Sequence, residues 1–270
     1  MTNSDFMCDK CSSKRREIQP HVLVCKKCHY VQNIKSKGAK NEGASTLLKK
    51  SVLLSQRAAL KKKNSILTFI AFCNKNKIKR VLEVGCSNGA LLDVLNSEGK
   101  MECFGIEIDR TLVKALRDRG LNADTVSMDS DEFVSYLEKV KPEAVIFNES
   151  LYYSNDPENL IKNCMEYGIS AFIKSNQYSS TRYRNVSIRS RLGDFGRMYN
   201  LTGLKKVVKN LDVEIECYGV ESGAFYHLFN GKLRELLPIK VTSKILDIIL
   251  LKVGLVNYFD RFYIIVRPQK

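Results

Sequence analysis

The clearest structural signal in this 270-residue chain is a nine-residue segment, Val81-Leu82-Glu83-Val84-Gly85-Cys86-Ser87-Asn88-Gly89. Its first residues are typical of a short buried strand, and Ala90 to Asn96, which follows, is predicted to be a helix. Glycine suits the turn between them, because the chain turns sharply there and a ligand can approach a backbone that has no Cβ. The segment therefore predicts a strand, a glycine turn and a helix that together face a ligand.

Predicted strands and helices alternate from this segment toward the C-terminus. The strands cover Arg80 to Val84, Cys103 to Ile108, Thr125 to Met128, Ala144 to Asn148, Ser170 to Ser175, Val213 to Tyr218 and Phe262 to Val266. The helices cover Ala90 to Asn96, Thr111 to Arg119, Glu132 to Val140, Pro157 to Met165 and Asn200 to Leu211. Strands separated by such helices favour a parallel sheet with helices on both faces. We therefore predict an α/β, Rossmann-like fold with a mostly parallel seven-stranded sheet and a ligand at the strand ends.

The spacing of the glycines indicates which ligand the turn binds. Dinucleotide sites have Gly-x-Gly-x-x-Gly and hold a pyrophosphate at the helix N-terminus. This chain has one glycine fewer, and Glu83 lies inside the strand. That pattern suits a cationic ligand without phosphate, such as the sulfonium and amino groups of S-adenosylmethionine. It favours this donor over a nicotinamide cofactor, and over a relic of the fold that binds no cofactor.

The candidate donor-binding residues lie at the ends of successive strands. Glu107 follows the turn by about 20 residues, where a carboxylate can accept hydrogen bonds from both ribose hydroxyls. Asp109 is expected to cap the next helix, and Asp129 is either an adenine contact or a surface carboxylate. We predict that the donor contacts Glu83, Gly85, Cys86, Ser87, Gly89, Glu107, Ile108, Asp129 and Asn148.

Four of the nine cysteines lie near the start of the chain, in two Cys-x-x-Cys pairs. Two such turns can supply four thiolates to a tetrahedral zinc ion. The surrounding segment has few apolar residues, so metal binding would supply its folding free energy. We predict a zinc ribbon with the ligands Cys8, Cys11, Cys25 and Cys28, and we expect His21 and His29 to be bystanders. The alternative is a redox pair or an unrelated set of cysteines.

The composition favours a soluble, cytoplasmic protein without structural disulfides. No apolar run is long enough to cross a membrane, and the first residues lack the pattern of a secretory signal. The 44 Lys and Arg residues outnumber the 29 Asp and Glu residues, which gives a net charge of +15. Such a charge attracts nucleic acid, anionic lipid or phosphorylated substrates. A solvated helix face is the simpler explanation for much of the lysine excess.

Several segments resemble class I S-adenosylmethionine-dependent methyltransferases of sugar and surface-polysaccharide biosynthesis. The resemblance lies in Val81 to Leu92, Gly105 to Glu107 and Phe147 to Pro157. Many such enzymes begin with a four-cysteine zinc segment whose end is similar to Cys25 to Gln32 here. Met198 to Leu204 is similar to the segment that opens their helix before the sixth strand. The resemblance implies methyl transfer to a sugar or nucleotide-sugar metabolite, with S-adenosylmethionine and Zn²⁺ bound.

The chain departs from this family's pattern at one position that matters for chemistry. Sugar C-methyltransferases with a similar front end have a histidine and a glutamate just before the Tyr199 segment, whereas this chain has Gly193 to Arg197 there. They are also longer, with an extra C-terminal domain. O- or N-methylation is therefore favoured over C-methylation.

Three regions follow from these patterns. We predict a zinc ribbon over residues 1–34, a linker and helical region over 35–78, and a methyltransferase domain over 79–270 with an insertion at 221–261. Helices in the second region are expected to pack against the edge of the core. The apolar stretch Ile245 to Val256 is expected to pack on the core or in a lid, and a helix at a membrane surface is the alternative.

Methyl transfer needs an acceptor held in line with the methyl group and, for a hydroxyl acceptor, a general base. Candidate residues on the acceptor side are Asn148, Glu149, Tyr152, Tyr153, Asn176 and Tyr178. We predict catalytic roles for Glu149, Tyr153 and His227, and a small, anionic or phosphorylated acceptor. Each residue also has a structural alternative: Glu149 orients its loop, the tyrosines belong to the core, and His227 is packed or on the surface.

Two other functions fit parts of the sequence. An RNA methyltransferase would explain the zinc segment and the positive charge, with phosphate contacts from Arg182, Arg184, Arg189, Arg191 and Arg197. However, no Asn-Pro-Pro-Tyr-type loop follows the fourth strand, as it does in many enzymes that methylate base amino groups. The third hypothesis is a non-enzymatic adaptor, against which the intact glycines and acidic residues argue.

Overall fold

The structure is a computed structural model that describes residues 7–8, 12–19, 22–25, 31–33, 66, 68–97, 101–176, 197–198, 201–221 and 261–269. Its strands, in chain order, are β1 (Arg15–Gln19), β2 (Val22–Cys25), β3 (Val31–Asn33), β4 (Arg80–Val84), β5 (Glu102–Glu107), β6 (Asn122–Thr125), β7 (Ala144–Asn148), β8 (Ser170–Asn176), β9 (Arg197–Met198), β10 (Val213–Glu221) and β11 (Arg261–Pro268). Its helices are α1 (residues 68–75), α2 (Ala90–Ser97), α3 (Arg110–Asp118), α4 (Glu132–Val140), α5 (Pro157–Glu166) and α6 (Leu201–Val207).

Seven strands form the larger sheet, in the order β10-β11-β8-β7-β4-β5-β6. Strand β4 pairs in parallel with β5 and β7, and β5 pairs in parallel with β6, whereas β10 and β11 are antiparallel. The predicted α/β fold with a mostly parallel seven-stranded sheet is confirmed. Because the parallel strands β4, β5 and β7 end at one edge, the loops that follow them lie together.

The described residues divide into two compact units. One unit contains β1 to β3, β9 to β11 and α6, and the other contains β4 to β7 and α1 to α4. In the second unit the apolar residues of β4 and β7 are almost fully buried, as a strand with helices on both faces requires. The glycine turn and the candidate donor-binding residues all belong to this second unit.

Strand β6 differs from the sequence prediction. It covers Asn122–Thr125 and pairs in register with Phe104 to Glu107, whereas the prediction placed it over Thr125 to Met128. The residues after it belong to a turn in which the Ser130 N–H donates to the Ser127 carbonyl oxygen at 3.2 Å. The strand escaped recognition because it lies at the sheet edge and is polar, with Asn122 and Asp124 among its four residues. Helix α6 also ends earlier than predicted, at Val207.

Helix α1 packs on the sheet through aromatic residues. Phe72 stacks on Phe172 of β8 with ring centroids 4.3 Å apart, and Phe69 meets the same ring edge-on at 4.8 Å. Strand β8 is the third strand in from one side of the sheet. Helix α1, the helical part of the predicted region that the structure describes, thus packs over the face of the sheet at β8 rather than against its edge.

The smaller sheet has four strands in the order β1-β2-β3-β9, and its pairs are antiparallel. It lies mainly in the predicted zinc ribbon, but Arg197 and Met198 of β9 supply its last strand by pairing with Val31 and Gln32. Among the helices that the structure describes, none is both long and apolar enough to cross a membrane. The apolar stretch Ile245 to Val256 lies outside the described residues.

Candidate functional site

The glycine turn connects β4 to α2 through three residues in the left-handed region, Gly85 (φ +72°), Ser87 (φ +51°) and Gly89 (φ +70°). Its amide groups point toward protein acceptors. The N–H groups of Gly85 and Cys86 both donate to the Ile106 carbonyl oxygen, at 2.9 and 3.1 Å. The Ser87 N–H donates to the Glu107 carboxylate at 3.0 Å. The turn is therefore fixed against the end of β5 before any ligand binds.

The carboxylate of Glu107 contacts both the glycine turn and the residues that follow β5. Its Oε2 accepts the Ser87 N–H, and its Oε1 accepts the N–H groups of Ile108 and Asp109 at 2.8 and 3.3 Å. Its side chain is half-buried, and each oxygen has further lone pairs. The predicted cap is confirmed at Asp109, whose Oδ1 accepts the N–H groups of Thr111 and Leu112. Two neighbouring carboxylates thus have separate tasks, because one orders the turn and the other caps α3.

Two features require glycine at position 85: its left-handed backbone and the close approach of Ser150. A Cβ at this position would lie 2.9 Å from the Cβ of Ser150, which follows β7. Carbon atoms at that distance overlap, and Ser150 Cβ is attached directly to the backbone and moves little. The approach brings the loop after β7 against the glycine turn.

Cys86 is buried beneath the turn with only 3% of its surface exposed. Burial raises the pKa of its thiol, and the nearby carboxylates of Glu83 and Glu107 raise it further. The thiol therefore stays protonated at neutral pH, and the sulfur is a packing group rather than a nucleophile. Glu83, inside β4, is buried to the same extent, at 3% exposed.

Gly105 makes room for this sulfur, and its replacement tests the packing. A Cβ at Gly105 would lie 2.7 Å from Cys86 Sγ and 2.7 Å from Leu92 Cδ1. We expect Gly105→Ala to lower the free energy of unfolding by about 1–3 kcal/mol, measured by denaturant unfolding. The Gly105→Ala/Cys86→Ala double variant should be more stable than the sum of the two single losses predicts. Simple additivity would contradict the proposed overlap.

Two of the predicted donor-binding residues, Ile108 and Asp129, are solvent-accessible. Ile108 follows Glu107 and is 40% exposed, one of three large apolar side chains exposed among the described residues. Asp129 is exposed and lies in the turn after β6, where its N–H donates to Ser127 Oγ at 3.3 Å. An exposed apolar side chain at the end of a strand can support the flat face of a base. The adenine role of Asp129 stays a prediction.

The loop after β7 contains the predicted acceptor-side residues. Asn148 ends the strand and is half-buried, and Glu149 has a left-handed backbone (φ +61°) that glutamate rarely adopts. Ser150, which is not among the predicted site residues, is 5% exposed and lies against Gly85. Its only sequence signal is its position just after a predicted strand.

The tyrosine pair lies in a short 3₁₀ helix, Leu151–Tyr153. The two rings have centroids 4.7 Å apart and are tilted by 53°. Tyr152 is only 4% exposed, as its core interpretation requires, whereas Tyr153 is half-buried. Of the remaining acceptor-side candidates, Asn176 is the last residue of β8, whereas Tyr178 and His227 lie outside the described residues. Arg182, Arg184, Arg189 and Arg191 also lie outside them.

The structure describes two of the four predicted zinc ligands. Cys8 and Cys25 are 2% and 0% exposed, whereas Cys11 and Cys28 lie outside the described residues. Cys8 opens a tight turn, because its N–H donates to the Ser13 carbonyl oxygen at 2.9 Å and its own carbonyl oxygen accepts the Ser12 N–H at 2.7 Å. Among the residues whose placement is described, no three His, Cys, Asp or Glu side chains form a metal-binding group.

Comparison with known proteins identifies a family and a fold for this chain. A family model described as "Methionine biosynthesis protein MetW" matches residues 65–200, which is half of the chain. A SAM dependent methyltransferase from Archaeoglobus fulgidus is 16% identical over 83% of this chain and 99% of its own, with a TM-score of 0.52. The plantazolicin methyltransferase BamL, solved with a triazolic desmethylPZN analog and SAH, is 15% identical over 84% of this chain and 94% of its own, with a TM-score of 0.50. No curated protein matches the sequence. The structural matches show the fold of an S-adenosylmethionine-dependent methyltransferase.

Proposed function

Because the chain belongs to the family of the methionine biosynthesis protein MetW, we propose that it is an S-adenosylmethionine-dependent methyltransferase acting on a small molecule. The observation that supports this most is the Glu107 carboxylate, which ends β5 and accepts the Ser87 N–H of the glycine turn. A carboxylate at this place can accept hydrogen bonds from the two hydroxyls of a ribose. Ile108 beside it offers an apolar surface to the adenine.

The glycine turn itself favours a donor without phosphate. A phosphate-binding turn directs several backbone N–H groups at the ligand. Here the N–H groups of Gly85, Cys86 and Ser87 donate to protein oxygens, and the first N–H of α2, on Ala90, donates to Asn88 Oδ1 at 3.3 Å. A pyrophosphate would find few donors, so the geometry supports S-adenosylmethionine rather than a nicotinamide dinucleotide.

S-adenosylmethionine, when bound, supplies a methyl group activated on a sulfonium. The task of the protein is to bind donor and acceptor in line and to exclude water. Glu107 would hold the ribose, and Asn148 and Glu149 would face the acceptor at the end of β7. We propose Glu149, with Tyr153 and His227, as the groups that position the acceptor or remove its proton.

The left-handed backbone at Glu149 allows its role to be separated from its effect on folding. We expect Glu149→Gly to raise the free energy of unfolding by about 1 kcal/mol, because glycine adopts φ +61° without strain. If the carboxylate acts on the acceptor, the rate of methyl transfer should fall to about a tenth of the wild-type rate or less. The measurements are thermal unfolding and turnover.

Lys141 provides a matched control for this variant. It is the C-cap of α4, with the same kind of backbone (φ +48°), and it is exposed. Lys141→Gly should stabilise the protein to a similar extent and leave turnover unchanged. Equal turnover in both glycine variants would show that Glu149 only orients its loop.

The proposal also concerns the chemical class of the molecule that accepts the methyl group. The sequence resemblance favours O- or N-methylation of a sugar or nucleotide-sugar metabolite, and the charge of +15 favours an anionic acceptor. Transfer of a radiolabelled methyl group should be screened in parallel on nucleotide sugars, other phosphorylated metabolites and total RNA. Labelling of a small metabolite is expected. Labelling of RNA alone, with steep salt dependence, would replace this proposal with an RNA methyltransferase.

A structural zinc site is the second part of the proposal. Cys8, Cys11, Cys25 and Cys28 would hold the ion, which would supply folding free energy to the small sheet. Supporting observations are the burial of Cys8 and Cys25 and the tight turn after Cys8, in which Ser12 has a left-handed backbone (φ +53°). Such a turn brings the first and last residues of a Cys-x-x-Cys pair to one side.

Metal analysis of the purified protein tests this site. We expect one zinc ion per chain, lost in Cys25→Ser and retained in Cys217→Ser, which changes a half-buried cysteine of β10. A wild-type protein that folds without metal would contradict the zinc site. The methyltransferase proposal would stand in that case, because the glycine turn belongs to the other unit.

A further inference from the structure

A step in the large sheet leaves a cavity at its β6 edge. Strand β6 begins at Asn122, which pairs with Phe104, so Glu102 and Cys103 at the start of β5 have no partner in β6. The cavity beside this step has a volume of about 270 Å³, and its walls come from β5, β6, α3 and α4 of the second compact unit. A cavity of about 150 Å³ is already large enough to bind benzene.

The inner part of this edge cavity is aromatic and apolar. Phe104 of β5 is half-buried, and Tyr136 and Val140 of α4 are 6% and 5% exposed. Tyr136 and Val140 lie one helical turn apart, so both face the cavity from the same side of α4. Aromatic rings and a branched aliphatic group are surfaces on which a planar apolar ligand packs.

The polar part of the edge cavity has a net charge of +1. Asp124 accepts a hydrogen bond from Arg117 Nη2, and its other oxygen lies 3.8 Å from Lys139 Nζ. Burial and a hydrogen bond to Asp124 raise the pKa of the Tyr136 hydroxyl, which therefore stays protonated and neutral. Arg117 also donates its Nε–H to the Ala123 carbonyl oxygen at 2.7 Å. Three of the five guanidinium N–H groups remain without an acceptor among the residues that the structure describes.

This cavity is distinct from the proposed donor site. Glu107 follows Phe104 by three positions in β5, so the two side chains lie on opposite faces of the sheet. Phe104 also lies about 10 Å before the end of the strand, where Glu107 contacts the glycine turn. The described residues that line the cavity fall between Phe104 and Val140, and none of them belongs to the glycine turn or to the loop after β7.

We propose that the edge cavity binds a small aromatic molecule with one negative charge, such as an aromatic carboxylate. The ring packs against Phe104 and Tyr136, and the carboxylate pairs with Lys139 and the remaining N–H groups of Arg117. One added negative charge makes the cluster around Asp124 neutral. The inference goes beyond the proposed methyl transfer and does not depend on it.

Benzoate and benzamide test this assignment, because they have the same ring and differ in charge. We expect benzoate to shift the amide resonances of β6 and of the last turn of α4 in two-dimensional NMR titrations, with a dissociation constant in the millimolar range. Benzamide should bind about fivefold more weakly, since it lacks the ion pairs. Acetate, which lacks the ring, should leave these resonances unchanged.

A lysine variant and its control measure the contribution of charge. Lys139 is 72% exposed, so Lys139→Met removes a cation of the cavity without opening the core. It should weaken benzoate binding by about threefold to fivefold and change benzamide binding by less than about twofold. Lys162→Met is the matched control, because Lys162 is also exposed and pairs with Glu166 of α5, outside the cavity. It should leave the binding of both probes unchanged.

A bulky substitution tests the location of the site. Asn122 is exposed and lines the cavity at the start of β6, so the ring introduced by Asn122→Phe should fill it. Binding of benzoate and benzamide should both be lost. The midpoint of thermal unfolding should change by no more than about 2 °C, because the substitution is on the surface.

Three results would each overturn the proposal. The first is equal binding of benzoate and benzamide, and the second is equal weakening of benzoate by Lys139→Met and Lys162→Met, which would indicate the general positive charge of the protein. The third is an absence of shifts in β6 and α4 at about 20 mM benzoate, or shifts that persist in Asn122→Phe. None of these results bears on the methyltransferase proposal, because binding of S-adenosylhomocysteine is measured separately.

Discussion

Replacing Glu107 with alanine should weaken the binding of S-adenosylhomocysteine by about 100-fold or more, as measured by isothermal titration calorimetry. A charged carboxylate that accepts hydrogen bonds from both ribose hydroxyls contributes about 1.5–3 kcal/mol for each bond. The variant also removes the acceptor of the Ser87, Ile108 and Asp109 N–H groups. The glycine turn would then lose its connection to the end of β5, and its geometry would loosen.

The glutamine variant separates these two effects. In Glu107→Gln one oxygen remains and can accept the N–H groups of Ile108 and Asp109, but the amide nitrogen then faces the Ser87 N–H. Two donors oppose each other at that point, and one ribose hydroxyl loses a charged acceptor. We expect an intermediate loss of affinity, of about tenfold. A glutamine variant as weak as the alanine variant would indicate that the turn geometry, rather than the ribose contact, dominates.

A second glutamate on the same strand is the control. Glu102 begins β5, is exposed, and pairs with Arg80 through an Nε–Oε2 distance of 2.7 Å. It lies at the strand end opposite to Glu107. Because exposed ion pairs contribute little, Glu102→Ala should change the affinity by less than about threefold. A comparable loss in Glu102→Ala and Glu107→Ala would contradict a ribose site at the carboxyl end of β5.

Much of the sheet could be predicted because its central strands are buried on both faces. Strands β4 and β7 are short, nearly continuous apolar runs, and their predicted bounds agree with the structure. Strand β6 lies at the edge and has a polar sequence, so apolar periodicity indicated the residues after it instead. The position of β6 was predicted wrongly because pairing with β5, rather than burial of apolar side chains, determines where this edge strand lies.

Long-range pairing explains what the sequence could not indicate about the small sheet. The two residues of β9 join β3, although some 160 positions of the chain separate them. A two-residue strand has no periodicity of its own. Its structure depends on the presence of a partner strand, which only the folded chain supplies.

The candidate site shows the same division between local and long-range signals. Glu107 and the Asp109 cap could be predicted because each acts on residues within a few positions or at a recognisable strand end. The approach of Ser150 to Gly85 depends on the pairing of β4 with β7 and on the left-handed backbone of Glu149. Neither feature leaves a pattern in the sequence. The residue most distinctive of this site was therefore found only in the structure.

Gly85→Ala should reduce the affinity for S-adenosylhomocysteine by about 100-fold and destabilise the protein by about 3 kcal/mol. Two costs add at this position. A left-handed backbone costs alanine about 1–2 kcal/mol, and the new Cβ would lie 2.9 Å from Ser150 Cβ. The turn or the loop after β7 must shift to relieve the overlap.

A substitution at Gly120 separates the effect of the overlap with Ser150 from the cost of a left-handed backbone. This glycine has the same left-handed conformation (φ +76°), but a Cβ there would meet nothing within 4 Å. Gly120→Ala should therefore cost only the conformational part, about 1 kcal/mol, and leave the affinity for S-adenosylhomocysteine unchanged. Calorimetric titration and denaturant unfolding of both variants give the comparison. If Gly85→Ala bound the ligand as tightly as Gly120→Ala, the contact between the glycine turn and the loop after β7 would have no part in donor binding.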